Sequence, residues 1–386
     1  MPSSDQILED RKVRPGTGSA ARVLRVLHVG PLPPPVGGMA TVIRGLQEHQ
    51  PHQMRVLDTR KTTPEGRRLW RGIVAQLRLL LQLVSACCGW RPHIVHVHTC
   101  SAPTFWRSAV DVMVARLLGR RVVLHVHGAR FHRFLAGLGR GAAFWARRTF
   151  AMAHATIVLG SDWREIIAPW CPPGRVHVVP NGVEVPEVPA DRSAGKPLHL
   201  VCLANYEMRK GQGDLIRALA ELGPETEVTL ALAGAETEKG TKAQLARLAE
   251  SLGVAERVTL ADPVSGKDKD ELLVAAHVFA LASYDEGLPM AMLEAMANAM
   301  PVIVTRVGAI PEVITDREDG YLVECGDVKA IAAVIRELAA SPSAVRRVGQ
   351  AGHALAAREY SLARVVGDVE SVYTSLWPPA AREVST

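Results

Sequence analysis

The stretch HVFALASYDEGLPMAMLEAMANAMPVIVT, residues 277–305, decides the fold. HVFALAS (277–283) is an apolar run of strand length, and PVIVT (301–305) is another. Between them EGLP reads as a turn, and the Met/Ala/Leu run near 289–299 as a helix with Pro289 in its first turn. That connection is far too long for a hairpin and fits a crossover between parallel strands.

The same unit recurs outward in both directions. Upstream, RVLRVLHVG (22–30), MRVLDT (54–59), HIVHVHT (93–99), RVVLHVHG (121–128), ATIVLG (155–160) and VHVVPNG (176–182) read as strands. Helices are expected from about Ala40 and near 67–88. Downstream, LHLVCLA (198–204), EVTLALAG (227–234), RVTLA (257–261) and YLV (321–323) continue the pattern. Helices are expected from Lys210, near 241–252 and within 358–377. The Pro/Gly-rich stretch 180–197 separates the two series. The expectation is therefore α/β: two Rossmann-like doubly wound domains. Residues 1–21 form a polar, disordered lead-in without the apolar core of a secretory signal. The first domain spans 22–182, a linker 183–197, the second domain 198–360, and a closing helix 361–377 returns to the first domain. Ligands of such sheets bind beyond the carboxyl ends of the strands, here facing a cleft.

A length of 386 residues suits two domains, and only 5% of residues are aromatic. The six cysteines, at 87, 88, 100, 171, 202 and 325, have neither zinc nor CxxC spacing. Reduced thiols and a cytoplasmic location are expected. No run reads as about 18 uncharged apolar residues; the nearest, 77–90, is broken by Arg78 and Gln82. Charge is split. Residues 1–190 carry 25 Lys/Arg and 11 Asp/Glu, a balance of +14, and the remainder balances at −8. A basic first half suits an anionic partner. Segment 65–84 sets Arg67, Arg71 and Arg78 against Trp70, Ile73, Leu77 and Leu81. Segment 129–150 interleaves Arg130, Arg133, Arg140, Arg147 and Arg148 with Phe131, Phe134, Phe144 and Trp145. Both fit peripheral contact with an anionic membrane, or equally a surface helix with its apolar face in the core. No nucleic-acid reading module is recognisable.

The candidate site residues lie after strands. Gly37 and Gly38 permit close backbone approach to a phosphate or sugar at a helix start, although the spacing is not GxGxxG. His96/His98 and His125/His127 alternate onto one strand face. Such pairs can bind metal, but no carboxylate completes a site, so they are expected to bind none; His127, followed by Gly128, is the one expected to meet a ligand. Arg209 and Lys210 at a helix start favour an anion. Asp268-Lys269-Asp270 resembles a metal-holding DxD but is read as acids favouring a helix dipole. Glu286 is placed in the turn and Glu294 about two turns along the helix. Eight residues at about 100° each return near one face, so both can grip one elongated ligand.

Together these residues resemble the retaining GT-B glycosyltransferases of family 4. The likeness runs over nearly all of 22–377. It is carried by GGM, HG (127–128), PNGV (180–183), KG (210–211) and, above all, EGLPMAMLEAMANAMPVIVT…G…PEVI…DGYLV. The resemblance implies a GT-B fold and transfer of a hexose-type sugar from a nucleotide-sugar donor to a glycan or lipid-linked acceptor, as in bacterial polysaccharide or glycolipid assembly. It implies no cofactor and no metal. His127, Lys210 and Glu286 would be catalytic. Gly37, Gly38, Asn205, Arg209, Gly287, Leu288, Pro289, Glu294 and Val307 would bind the donor: Glu286 at the sugar, Glu294 at the ribose, Lys210 at the diphosphate. One position departs. The family usually has Arg five residues before the Lys, where this chain has Asn205; Arg209 is the nearest cation. A nucleotide-sugar epimerase, or a sugar-nucleotide-binding protein with weak turnover, is the alternative.

Overall fold

A computed structural model describes residues 23–33, 37–60, 69–189 and 197–377, without the side chains of 69–72. The expected lead-in, residues 190–196 of the linker and the side chains of Arg67, Trp70 and Arg71 lie outside the described residues. The chain divides into two compact units. One comprises residues up to Pro180 together with those from Ala363; the other is Asn181–Leu362.

The first unit holds β1 (Arg25–Gly30), β2 (Gln53–Asp58), β3 (Ile94–Thr99), β4 (Arg121–Val126), β5 (Ala155–Val158) and β6 (Val176–Val178). They form one parallel sheet in the order β2-β1-β3-β4-β5-β6. The second unit holds β7 (Leu198–Leu203), β8 (Val228–Ala233), β9 (Val258–Ala261), β10 (Val278–Leu281), β11 (Val302–Thr305) and β12 (Tyr321–Val323). Its parallel sheet runs β12-β11-β10-β7-β8-β9, a 3-2-1-4-5-6 order read from the other edge. Helices cover such sheets on both faces, which is why β5, β10 and β11 are buried throughout and apolar apart from Thr156 and Thr305. In each sheet the winding reverses once, between β1 and β3 and between β7 and β10. The loops after those strands diverge there and leave room for a ligand.

Three local readings change. The helix expected from Lys210 begins at Gln212; Met208–Lys210 is a 3-10 turn, and Gly211 between them has φ +65°. The helix of the EGLP block is Met290–Ala297, so Glu294 lies just over one turn into it, and Glu286 is in the loop before it. Helical periodicity therefore does not relate the two acids. Finally, the helix Leu69–Ser85 continues through a π-helical turn, Ala86–Trp90. Its segment Ile73–Trp90 is long and apolar enough to cross a membrane by length and composition, despite Arg78 and Gln82. It packs Leu83, Ala86 and Cys87 inward and leaves Ile73, Leu77 and Leu81 exposed.

Candidate active site

In the second unit the loops after β7 and β10, neighbours at the winding reversal, meet through one ion pair. Lys210 Nζ lies 2.6 Å from Glu286 Oε1, with both side chains nearly buried. Ser283 Oγ donates to the same oxygen at 2.7 Å. Glu286 Oε2 thus has no partner among the described residues, and two of the three Lys210 N–H bonds remain open. Thr305, at the end of β11, donates to the Ser283 carbonyl and fixes the loop from the neighbouring strand.

Two glycines let the backbones approach. A Cβ on Gly211 would stand 1.9 Å from the Ala282 carbonyl oxygen, and one on Gly308 2.1 Å from that of Glu286. Gly308 has φ +57°, and Ala309 N–H donates to the Gly287 carbonyl at 2.8 Å. Val307 begins this same turn, so Gly287, Leu288, Pro289 and Val307 are brought together around the loop. Asn181 holds it from a third side: its Nδ2 donates to the Leu288 carbonyl at 2.7 Å. Sequence reasoning quoted Asn181 within PNGV but gave it no role. The helix Met290–Ala297 that follows has no side-chain cap, and its first-turn N–H groups carry the positive end of its dipole.

The remaining acids and bases sort by partner. Glu294 Oε1 is 2.9 Å from Lys269 Nζ, on the helix Lys267–Ala275, and Oε2 is unpaired among the described residues. Lys269 was missed because the DxD pattern drew the reading to its acids. Arg209 is engaged twice, by Glu207 at 2.6 Å and by the Asp285 carbonyl at 3.1 Å. Burial pushes the Glu207 carboxyl up, but the Thr237 hydroxyl and Arg209 bring it below its ordinary value. Asn205 follows β7; its carbonyl accepts from Gln212 Nε2 at 3.0 Å. Its side chain supplies no positive charge.

In the first unit, Gly37 and Gly38 open the exposed, uncapped start of the helix Gly38–His49 after β1. His127 stands just past the end of β4, half-buried, the last of five packed histidines. Strand register brings His28 beside His96 and His98 beside His125. His28, His96, His98 and His125 are buried. Burial depresses the basicity of all five, bringing His28 and His127 to about 3. His28/His96/His98 and His98/His125/His127 each bring three ring nitrogens within 4.8 Å, close enough to converge on an ion. Contacts of 2.9–3.2 Å between pairs of these nitrogens are also accounted for as hydrogen bonds.

Of the aromatics for which a membrane surface and the core were equally expected, Phe131 and Phe134 pack with Phe105 in an aromatic cluster. Phe144 and Trp145 are exposed.

Comparison with known proteins adds relatives to this geometry. The family model described as Glycosyltransferase Family 4 matches residues 36–186, and that described as Glycosyl transferases group 1 matches 187–354. The MMP alpha-(1->4)-mannosyltransferase of Mycolicibacterium hassiacum is 31% identical over 52% of this chain and 48% of its own length. The GDP-mannose-dependent alpha-(1-6)-phosphatidylinositol monomannoside mannosyltransferase of Mycolicibacterium smegmatis is 36% identical over 40% of this chain and 41% of its own. The chain thus spans about half the length of these relatives or less. Among solved structures, sucrose-phosphate synthase from Thermosynechococcus elongatus superposes with a TM-score of 0.74 at 17% identity, covering 92% of this chain and 99% of that one. That likeness shows the fold.

Two outcomes follow from the geometry. Lys210→Ala leaves the nearly buried Glu286 charge with the Ser283 hydroxyl but no counter-ion, and should lower stability by about 3–5 kcal/mol in urea denaturation. Adding Glu286→Gln should recover part of that loss, whereas strictly additive losses would show the pair to be uncoupled. The histidines make stability depend on acid. Unfolded histidine titrates at about 6.5. Between that value and about 3, where His28 and His127 titrate when folded, the unfolded chain binds more protons. Stability is therefore complete above the unfolded value and falls as pH drops through this window, by up to about 1.4 kcal/mol per pH unit for each histidine. Urea midpoints at pH 7 and pH 5 test this, and His28→Phe should flatten the slope.

Proposed function

We propose that this chain, which belongs to the GT-B glycosyltransferases of family 4, moves a hexose-type sugar from a nucleoside diphosphate donor to a glycan or lipid-linked acceptor, with the anomeric configuration retained. The observation that carries this reading is the Lys210–Glu286 pair at the winding reversal of the second sheet.

Departure of a nucleoside diphosphate builds negative charge on phosphate oxygens. Lys210, held at one N–H by Glu286, has two N–H bonds to turn toward that charge. The uncapped N–H groups of the helix Met290–Ala297 supply fixed dipoles that need no reorganisation. Glu286 Oε2 suits a sugar hydroxyl, and Glu294 Oε2 the ribose hydroxyls. In this reading protein groups provide the positive charge, and attack by the acceptor occurs on the face the leaving group departs. Arg209 favours a second reading, a sugar-nucleotide-binding protein with weak turnover. Glu207 and the Asp285 carbonyl engage its Nε and Nη1, so part of its charge is already matched within the protein, which leaves a weaker stand-in for the arginine absent at Asn205.

The acceptor side is read as membrane-linked. In the helix Leu69–Ser85, Ile73, Leu77 and Leu81 recur one turn apart and are 54–69% exposed. This helix packs on Pro103–Leu117, which exposes Val110, Met113 and Leu117. That helix in turn packs on Arg140–Met152, which exposes Phe144 and Trp145. Arg78, Arg116, Arg140, Arg147 and Arg148 lie on the same three helices. Apolar residues at the surface, flanked by cations, suit the headgroup layer of an anionic bilayer at the cytoplasmic face. The relative acting on a phosphatidylinositol mannoside is consistent with a lipid-linked acceptor.

Turnover is tested by incubating the protein with uridine, guanosine and adenosine diphosphate hexoses and following nucleoside diphosphate release. Lys210→Ala should lower kcat by about 10²–10³-fold, and Glu294→Ala should raise KM more than it lowers kcat. Release unchanged in both variants would sink the site assignment. Binding of donor without release would favour the second reading. Separately, the protein should sediment with anionic but not neutral vesicles at low salt, and Leu77→Asp with Leu81→Asp should weaken that; no affinity for anionic vesicles would refute the membrane reading.

A further inference from the structure

Five packed histidines of the first unit form a branched hydrogen-bonded relay that begins at Tyr373, on the helix Leu362–Leu376; one arm ends at His127 and the other at His125. The Tyr373 hydroxyl is buried and touches two rings: His96 Nδ1 at 2.6 Å and His28 Nε2 at 3.4 Å. From His28, Nδ1 meets His98 Nε2 at 2.9 Å, and His98 Nδ1 meets His127 Nε2 at 2.9 Å. From His96, Nε2 meets His125 Nδ1 at 3.2 Å, and that arm stops at His125 Nε2, which is buried without a partner. The buried Gln50 amide lies beside Tyr373 without a hydrogen bond of good geometry.

Proton counting gives the relay a direction. Each neutral imidazole has one N–H and one lone pair, and a phenol has one proton. Burial holds these rings neutral. The 2.6 Å contact fits O–H donation to nitrogen better than N–H donation to oxygen, which is normally ~2.9 Å. The Tyr373 proton is thereby committed to His96, and its oxygen faces His28 as an acceptor. His28 must then carry its proton on Nε2, because two lone pairs would otherwise face each other. His28 Nδ1 accepts, so His98 donates from Nε2; His98 Nδ1 accepts, so His127 donates from Nε2. His127 Nδ1 is left as a bare lone pair, and it has no partner among the described residues.

We propose that Tyr373, acting through His28 and His98, is a positioning residue that sets the tautomer of His127 and presents its Nδ1 as a hydrogen-bond acceptor to a ligand hydroxyl. The ligand half of this statement rests on the reading of His127 given above; the tautomer half does not. Reversing one ring reverses all those after it, since every bond in the arm shares a proton with the next.

The test is nitrogen-15 NMR of the full chain with labelled histidine, at pH 7.5, the His127 signals being assigned by their loss in His127→Asn. The expected spectrum has a protonated His127 Nε2 and an unprotonated Nδ1. In Tyr373→Phe, His28 loses its acceptor, and the protonated signal of His127 should move to Nδ1. His28→Phe should also remove the bias, whereas His125→Leu, on the other arm, should leave His127 unchanged. A wild-type His127 protonated at Nδ1 overturns the proposal without reference to any variant. So does a pattern at His127 that persists in folded Tyr373→Phe or His28→Phe, or a stoichiometric metal bound by the cluster in the isolated protein. Turnover separates the two readings. With the predicted tautomers, kcat in Tyr373→Phe should fall on the order of fivefold to tenfold, the worth of one hydrogen bond. The predicted tautomers with full turnover in His127→Asn would leave the relay standing and remove His127 from the reaction.

Discussion

Two close backbone approaches fix the loop on which the site of the second unit is built. At Gly211 and at Gly308 the chain passes so close to the loop 282–288 that a methyl group would overlap a carbonyl oxygen. Both glycines also have positive φ, a conformation that costs other residues energy. Between these contacts the loop cannot relax outward, and Ser283, Glu286 and the start of the helix Met290–Ala297 inherit fixed positions. The Lys210–Glu286 pair then follows with little further ordering of long side chains, which helps a nearly buried ion pair to form at all.

The glycines and the pair also explain what the sequence made legible. Strand–helix alternation was readable because parallel strands covered on both faces form near-continuous apolar runs, as VFAL and VIVT do. EGLP was readable because Pro289 marks a helix start. The partner of Glu294 was not, since Lys269 is 25 residues upstream and only tertiary packing joins them. The helical relation inferred between Glu286 and Glu294 failed because it extended helical geometry into a loop. The histidines show another limit. Alternation put His96 with His98 and His125 with His127, but pairing across strands, and His28 with them, depends on register, which a single sequence does not state.

The two sheets are not copies of each other. The second has the 3-2-1-4-5-6 order of dinucleotide-binding folds, and the first extends the 2-1-3-4-5 order. Their chemistry differs accordingly. The second unit gathers charge at its reversal point, where lysine, glutamate and a helix dipole meet. The first is basic at its surface and neutral within, with imidazoles where a parallel sheet would ordinarily carry aliphatic side chains.

That interior has a consequence for how the protein is made. The first unit is discontinuous: its residues up to Pro180 are joined by those from Ala363 onward. Tyr373, which caps the buried histidines, is therefore synthesised after the whole of the second unit. A nascent first unit would emerge from the ribosome with His28 and His96 unsealed. At that stage its imidazoles would remain wet and ready to protonate. Completion of this core is thus a late event in synthesis, and the last helix acts as its closing stitch.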